Sequence, residues 1–175
     1  SAVAGNGGAI SFGNQMTAGT YSVLGTNTST GCTSAMGGSA TVNVNALPSN
    51  YTVSGGGSLC TGAAGVAVSL SGSDGDATYQ LMNGSTAVGA ALTGSGSGLS
   101  FGPQETAGNY MVVATNTAGC SRTMSGSATV IVNALPIAQT VTGGGNYCAG
   151  GAGVSIGLSS SQSGISYQLN DGTSH

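Results

Sequence analysis

The sequence Asn-Ala-Leu-Pro at residues 45–48 runs into Gly-Gly-Gly-Ser-Leu-Cys at residues 55–60. The same arrangement returns as Asn-Ala-Leu-Pro at 133–136 and Gly-Gly-Gly-Asn-Tyr-Cys at 143–148, a step of 88 residues in both cases. Self-similarity at a fixed step is the sequence sign of a repeat architecture. In a chain of 175 residues, this step predicts two domain equivalents, each near the lower end of self-sufficient size.

The repeat also divides the chain into three blocks. Proline ends ladder pairing and stiffens the exit from a strand, so we place the boundaries at the two Asn-Ala-Leu-Pro segments. Residues 1–50 are then the C-terminal half of a unit, 51–136 a complete unit and 137–175 the N-terminal half of another. Neither half can bury its strands alone. We therefore expect residues 137–175 of one copy to be completed by residues 1–50 of the next, through a longer polypeptide or by strand complementation between subunits.

Short alternating segments, separated by glycine and serine clusters, predict β-strands throughout the chain. Val66, Val68 and Leu70 alternate with small or polar residues, so that one face can enter a core. Similar segments lie at 79–81, 99–101, 110–115 and 130–132, and no segment carries a helical stripe. The pattern predicts an all-β chain of tandem immunoglobulin-like β-sandwich repeats, with about seven short antiparallel strands in each unit.

The charge content excludes several classes of function. The chain has one basic residue, Arg122, four acidic residues and no lysine. Because almost nothing can neutralise a phosphate backbone, nucleic-acid binding is excluded. No apolar run approaches the roughly 20 residues of a membrane-spanning helix, so we expect no membrane insertion. Without lysine, the isopeptide bonds that staple many bacterial surface fibres cannot form.

No catalytic, cofactor-binding or metal site is legible in the sequence. Asp74 and Asp76 offer two carboxylates to calcium, but such a site needs about six to eight oxygens and the next copy has Gln162 there, so we interpret the segment as a solvated turn. His175 has no repeating carboxylate or cysteine partner, and Glu105 is a lone acid. Since no base accompanies a serine and no carboxylate pair recurs, we predict that the protein is not an enzyme.

The four cysteines, without any Cys-x-x-Cys pair, indicate disulfides and a location outside the reducing cytosol. Cys60 and Cys120 are the only pair within the complete unit, so we predict a disulfide between them, with two buried free thiols as the alternative. Closing a loop of about 60 residues stabilises a fold by about 4 kcal/mol through loop entropy. By the same repeat, Cys148 is predicted to bridge to Cys32 of a neighbouring copy.

Several recurring segments together resemble a known family. They are Tyr-Gln-Leu at 79–81, the Gly-Gly-Gly-x-x-Cys segments, Ala-Gly-Asn-Tyr-x-Val-x-Ala-x-Asn-x-x-Gly-Cys at 107–120 and Ser-Gly-Ser-Ala-Thr-Val-x-Val-Asn at 125–133. This style of repeat resembles the immunoglobulin-like tandem repeats of very large secreted surface proteins of Bacteroidota-type bacteria, including gliding and biofilm adhesins. The resemblance implies an exported cell-surface filament or stalk, and it supplies no binding residues.

We therefore expect a structural segment of an extracellular filament or adhesin stalk, built from disulfide-stapled sandwich units joined head to tail. Its main partner is then itself, as a homopolymer or as the continuation of a longer repeat chain, with a surface glycan or a host or cell ligand at a distant tip left open. The alternative is a carbohydrate-binding β-sandwich module that uses Tyr51 or Tyr147. The absence of tryptophan disfavours an aromatic sugar platform.

Overall fold

The computed structural model describes residues 2–172, and it contains β-strands but no helix within that range. The predicted all-β class is confirmed. None of the described residues forms a helix long and apolar enough to cross a membrane.

The N-terminal block, residues 2–50, carries four short strands. They are β1 Gly19–Tyr21, β2 Leu24–Thr26, β3 Thr33–Ala35 and β4 Ala40–Val42. Strand β1 pairs antiparallel with β4, and β2 pairs antiparallel with β3, so the block consists of two small two-stranded sheets.

The central unit, residues 51–136, holds nine strands. They are β5 Val53–Gly55, β6 Gly57–Cys60, β7 Val66–Leu70, β8 Ala77–Asn83, β9 Thr86–Thr93, β10 Leu99–Gln104, β11 Gly108–Asn116, β12 Ser121–Thr123 and β13 Ala128–Asn133. One sheet has the order β5-β7-β10. The other has the order β6-β13-β11-β8-β9, with β12 paired to β11.

The C-terminal block, residues 137–172, carries two strands among its described residues, β14 Val141–Gly143 and β15 Ile156–Leu158. They pair antiparallel, with Val141 opposite Leu158. This register is the one that β5 and β7 use in the central unit, where Val53 lies opposite Leu70.

The hydrophobic core of the described chain lies between the two sheets of the central unit, and its buried members run from Val53 to Val130. The predicted faces are confirmed there. Val68 and Leu70 are buried while Ala67, the residue before Val68, is exposed, and Tyr79 and Leu81 are buried on β8. Full burial of a side chain of this size stabilises a fold by about 1.5–3 kcal/mol, so the alternation determines which face of each strand turns inward.

The structure differs from the sequence prediction in the pairing of β6. The unit has nine strands rather than about seven, and β6 runs parallel to β13. The triple glycine makes this possible, because Gly55 (φ 105°) and Gly56 (φ 79°) adopt left-handed backbone conformations that carry the chain from one sheet to the other. A Cβ on Gly56 would also collide with the backbone of Thr129 on β13.

Candidate functional site: two open sheet faces and the unit ends

The blocks on either side of the central unit expose the side chains that the central unit buries. Tyr79 is 0% exposed, whereas its equivalent 88 residues later, Tyr167, is 42% exposed; Leu81 is 1% exposed and its equivalent Leu169 is 72% exposed. Exposed side chains at core-equivalent positions also include Val141, Ile156 and Leu158 in the C-terminal block and Val23 and Met36 in the N-terminal block. Both blocks therefore present an apolar sheet face without a covering sheet.

A hollow of about 1,090 Å³ occupies the open side of the N-terminal block. Ile10, Phe12, Tyr21, Val23 and Met36 contribute to its lining. The corresponding positions in the central unit face the core from β10, β11 and the segment before β13. The hollow therefore lies where the side chains of β7 and β8 would stand in a complete unit.

Local hydrogen bonds in the C-terminal block repeat those of the first half of the central unit. The Gly144 amide donates to the Ser155 carbonyl at 2.8 Å, as Gly56 donates to Ala67 at 3.0 Å. The Thr140 amide donates to the Ser159 hydroxyl at 3.1 Å, in a bond equivalent to one at Thr52. This block therefore keeps the backbone geometry of a unit's first half.

The N-terminal block repeats the second half in the same way, with a step of 89 residues before the turn at 26–32. The Tyr21 hydroxyl donates to the Thr17 carbonyl at 2.8 Å, and Tyr110 donates to Thr106 at 2.8 Å. The Gln15 side-chain amide donates to the Phe12 carbonyl at 2.9 Å, a bond that recurs 89 residues later. The N-terminal block therefore shares local hydrogen bonds with the second half of the central unit, and the C-terminal block shares them with the first half.

The linker at 45–50 is docked on the end of the central unit at which it enters that unit. The Asn116 side-chain amide donates to the Ala46 carbonyl at 2.8 Å, and the Arg122 guanidinium donates to the Pro48 carbonyl at 2.8 Å. Pro48 itself is buried. Because the Ala46 and Pro48 carbonyls are both held by the central unit, the linker is part of that unit rather than a free hinge.

Asp74 completes this docking from the other side. One carboxylate oxygen accepts from the Ser49 amide at 2.6 Å, and the other accepts from the Tyr51 hydroxyl at 2.8 Å. These bonds, with the Ser49 amide contributing most, lower the pKa of Asp74 below its ordinary value. The bond to Asp74 is also the main reason that the pKa of Tyr51 is raised.

The two hydrogen bonds that Asp74 accepts from Ser49 and Tyr51, called the Asp74 clasp below, argue against calcium binding at this position. Both carboxylate oxygens already have protein partners, and the equivalent Gln162 performs the same task with an amide: its side-chain oxygen accepts from the Ile137 amide at 2.6 Å. An uncharged side chain suffices at this position, so the position serves linker attachment. Across residues 2–172, no group of three or more His, Cys, Asp or Glu side chains is placed to hold a metal ion.

The predicted disulfide between Cys60 and Cys120 is not supported, since both are free thiols at opposite ends of the unit. Cys60 ends β6 opposite Asn133, whereas Cys120 lies beyond Asn116, at the far end of the nine-residue strand β11. At about 3.3 Å per residue, β11 alone spans about 26 Å, far beyond the Cα separation of about 4.4–6.8 Å that a disulfide allows.

The predicted bridge rested on Cys60 and Cys120 being the only two cysteines of the complete unit, and the parallel pairing of β6 with β13 places Cys60 at the end of the unit where residues 133–136 leave it. The predicted bridge from Cys148 to Cys32 of a neighbouring copy copied this geometry, so it loses its basis. All four cysteines are free thiols in the chain.

The remaining candidate residues are scattered. Tyr51 is half-buried against the core and its hydroxyl is bonded to Asp74, so it offers no free platform for a sugar. Tyr147 is exposed, at the position equivalent to the buried core residue Leu59. Glu105 borders a shallow depression of about 290 Å³ lined by small and apolar residues. His175 lies outside the described residues.

The docking roles of Asp74, Asn116 and Arg122 were not predicted from the sequence. The sequence signal for these roles was weak. A single arginine in an almost uncharged chain suggests a specific contact, but it does not indicate which residue that contact involves. Comparison of the chain with protein-family models and with curated proteins finds no match.

Proposed function

We propose that this chain is a structural segment of an extracellular filament or adhesin stalk, in which immunoglobulin-like β-sandwich units are stacked head to tail. The observation that carries the proposal is the pair of complementary open faces. By the repeat step, residues 2–50 correspond to the segment from β10 to β13, and residues 137–172 correspond to the segment from β5 to β8. The equivalents of β11, β12 and β13 form strands in the first block, and those of β5 and β7 form strands in the second. Each face exposes the apolar side chains that the other would cover.

The strand order of the central unit supports the immunoglobulin-like assignment. With β5, β7 and β10 as strands A, B and E, and β13, β11, β8 and β9 as G, F, C and C′, the two sheets follow the order of that sandwich. Strand D is absent from this order, and β6 is the second part of strand A, paired parallel to G. The half-units on either side would share this order once joined.

Gly5 also supports completion by a neighbour, because nothing within its own block requires glycine at this position. A Cβ at Gly94 would collide with the Asp74 carbonyl, so the central unit requires glycine there. At the equivalent Gly5, a Cβ would meet nothing within 4 Å, and the backbone does not have a positive φ. Covering the N-terminal block with residues 137–172 of another copy would bring Gln162, the equivalent of Asp74, against Gly5.

The docked linkers support a rod rather than freely jointed beads. A linker held through the Ala46 and Pro48 carbonyls restricts hinge motion between units. Head-to-tail completion of this kind is heterologous and does not close on itself, so it extends indefinitely. The neighbour is either a second copy or the next stretch of a longer polypeptide, and the isolated chain presents the same two faces in both cases.

The experiment is sedimentation velocity of the full chain in reducing buffer, with two variants. Leu158→Asp puts a charge on the open face, and Ser155→Asp puts the same charge at an exposed position equivalent to Ala67, which faces away from the core. We expect concentration-dependent polymers for the wild type and Ser155→Asp, and monomers for Leu158→Asp, with equal thermal unfolding of the central unit in all three. A monomeric wild type, or polymers of Leu158→Asp equal to those of the wild type, would overturn the proposal.

A further inference from the structure

The two cysteines of the central unit lie at its two ends, each beside an asparagine that opens an Asn-Ala-Leu-Pro linker. Cys60 pairs with Asn133 in the parallel ladder, and the next residue, Thr61, donates its amide to the Asn133 carbonyl at 2.9 Å. At the other end, the Cys120 sulfur lies 3.8 Å from the carbonyl oxygen of Asn45.

Asn45 and Asn133 are the same position in successive repeats. Cys120 contacts Asn45, which lies in the linker before its own unit. By the repeat, the equivalent cysteine of the following unit would contact Asn133, which lies in the linker before that unit. At that junction, Cys60 of the preceding unit and the cysteine of the following unit would both lie against the same asparagine, whose carbonyl oxygen accepts from Thr61. Cys60 lies directly opposite that asparagine, at the spacing of about 5 Å between neighbouring strands, and the sulfur of the following unit's cysteine would touch the asparagine's carbonyl oxygen.

We propose that disulfides join successive units across each Asn-Ala-Leu-Pro junction and do not staple single units. This inference rests on the head-to-tail stacking proposed above. In a row of copies whose half-units complete one another, Cys60 of one copy bonds to Cys32 of the next, and Cys148 bonds to Cys120 of the next. Both partners lie in a neighbouring copy, which accounts for four free thiols in a single chain.

The surroundings hold both cysteines in position. The Cys120 amide donates to the Asn116 side chain at 2.9 Å, and Asn116 also donates to the linker carbonyl of Ala46 at 2.8 Å. Cys60 closes a strand in the larger sheet, and the Ala63 amide bonds back to its carbonyl at 3.0 Å. Cys32, Cys60 and Cys148 are exposed and Cys120 is half-buried, so an oxidant can reach them.

The chemistry is thiol–disulfide exchange. Two thiols lose two protons and form one S–S bond, and their two electrons reduce a disulfide oxidant, such as glutathione disulfide, to two thiols. The result would be a filament whose copies are linked covalently at every junction. A disulfide between Cys60 and Cys120, within the central unit of one chain, would link no two copies.

The test oxidises preassembled full-length chain with glutathione disulfide, then combines a non-reducing denaturing gel with peptic peptide mapping. We expect a ladder at multiples of the chain mass and joined peptides that pair Cys60 with Cys32 and Cys148 with Cys120. Two matched double variants discriminate between pairings. Cys60→Ser with Cys32→Ser should keep the ladder through Cys148 and Cys120, whereas Cys60→Ser with Cys120→Ser should lose it completely.

The opposite gel pattern, a mapped bond between Cys60 and Cys120, or unlinked thiols in assembled polymers would overturn this inference and leave the stacking proposal intact. Sedimentation of each variant in reducing buffer separates the two claims, since stacking does not require the disulfides. A chain that stays monomeric there would overturn the stacking proposal and this inference with it.

Discussion

Three side chains, Asp74, Asn116 and Arg122, attach the linker to the unit that follows it. In the sequence, Asp74 is a candidate calcium ligand. In the structure, it is a hydrogen-bond acceptor, because the Ser49 amide and the Tyr51 hydroxyl donate to its two oxygens. The sequence predicted the turn at this position, since Asp and Gly favour turns. It could not identify the partners, which lie 23 and 25 residues away in the chain.

The Asp74 clasp predicts a specific acid dependence of stability. Its pKa is lowered in the folded chain, so the unfolded chain takes up the proton first as the pH falls. The stabilisation is complete above the ordinary aspartate pKa and is lost as the pH falls through the lowered value. We expect Asp74→Asn to lose less free energy of unfolding than the wild type between pH 7 and pH 3, as measured by urea denaturation at both values.

Asp76→Asn is the matched control, because this exposed residue is not among the partners of the clasp. It should follow the wild type at both pH values. Equal acid sensitivity of the wild type and Asp74→Asn would contradict the role given to the clasp.

For the strands, the sequence correctly predicted which side chains point into the core, but it did not predict which strands pair with each other. The alternation around Val68, Tyr79 and Val112 determines which side chains point inward, because a slip of one residue would expose a whole apolar face. Strand β6 carries glycine and serine with little alternation, so its partner could not be read locally. Its parallel pairing with β13 depends on contacts that are about 70 residues apart in the chain, and that pairing decides where Cys60 lies.

The repeat provides a matched pair of substitutions at this scale. Leu81→Ala removes a buried side chain and should lower the free energy of unfolding of the central unit by about 2–5 kcal/mol. Leu169→Ala changes the equivalent but exposed residue and should change it by less than about 0.5 kcal/mol in monomeric chain. Chemical denaturation at low protein concentration measures both.

In assembled chain, Leu169→Ala should instead raise the concentration needed for polymer formation, because Leu169 would then lie in the core of a completed unit. An effect of Leu169→Ala on the monomer as large as that of Leu81→Ala would contradict the assignment of an open face. So would polymer formation that is indifferent to Leu169.

The whole molecule has one unit with two packed sheets, and a block of short strand pairs lies before and after it in the chain. The repeat in the sequence predicted the boundaries and the complementarity, because the step of 88 residues relates both halves to the central unit. The hydrophobic side chains that remain exposed in the two halves are the physical reason to expect assembly, since large apolar patches on soluble proteins mark interaction surfaces.

Negative-stain electron microscopy of the full chain in reducing buffer tests the central claim most directly. With two sandwich units added per copy, and each unit about as long as a nine-residue strand plus its linker, we predict thin unbranched filaments with an axial repeat of about 80 Å per copy. Leu158→Asp should abolish them, and Ser155→Asp should not. Dispersed globular particles at all concentrations of wild-type chain would contradict the account.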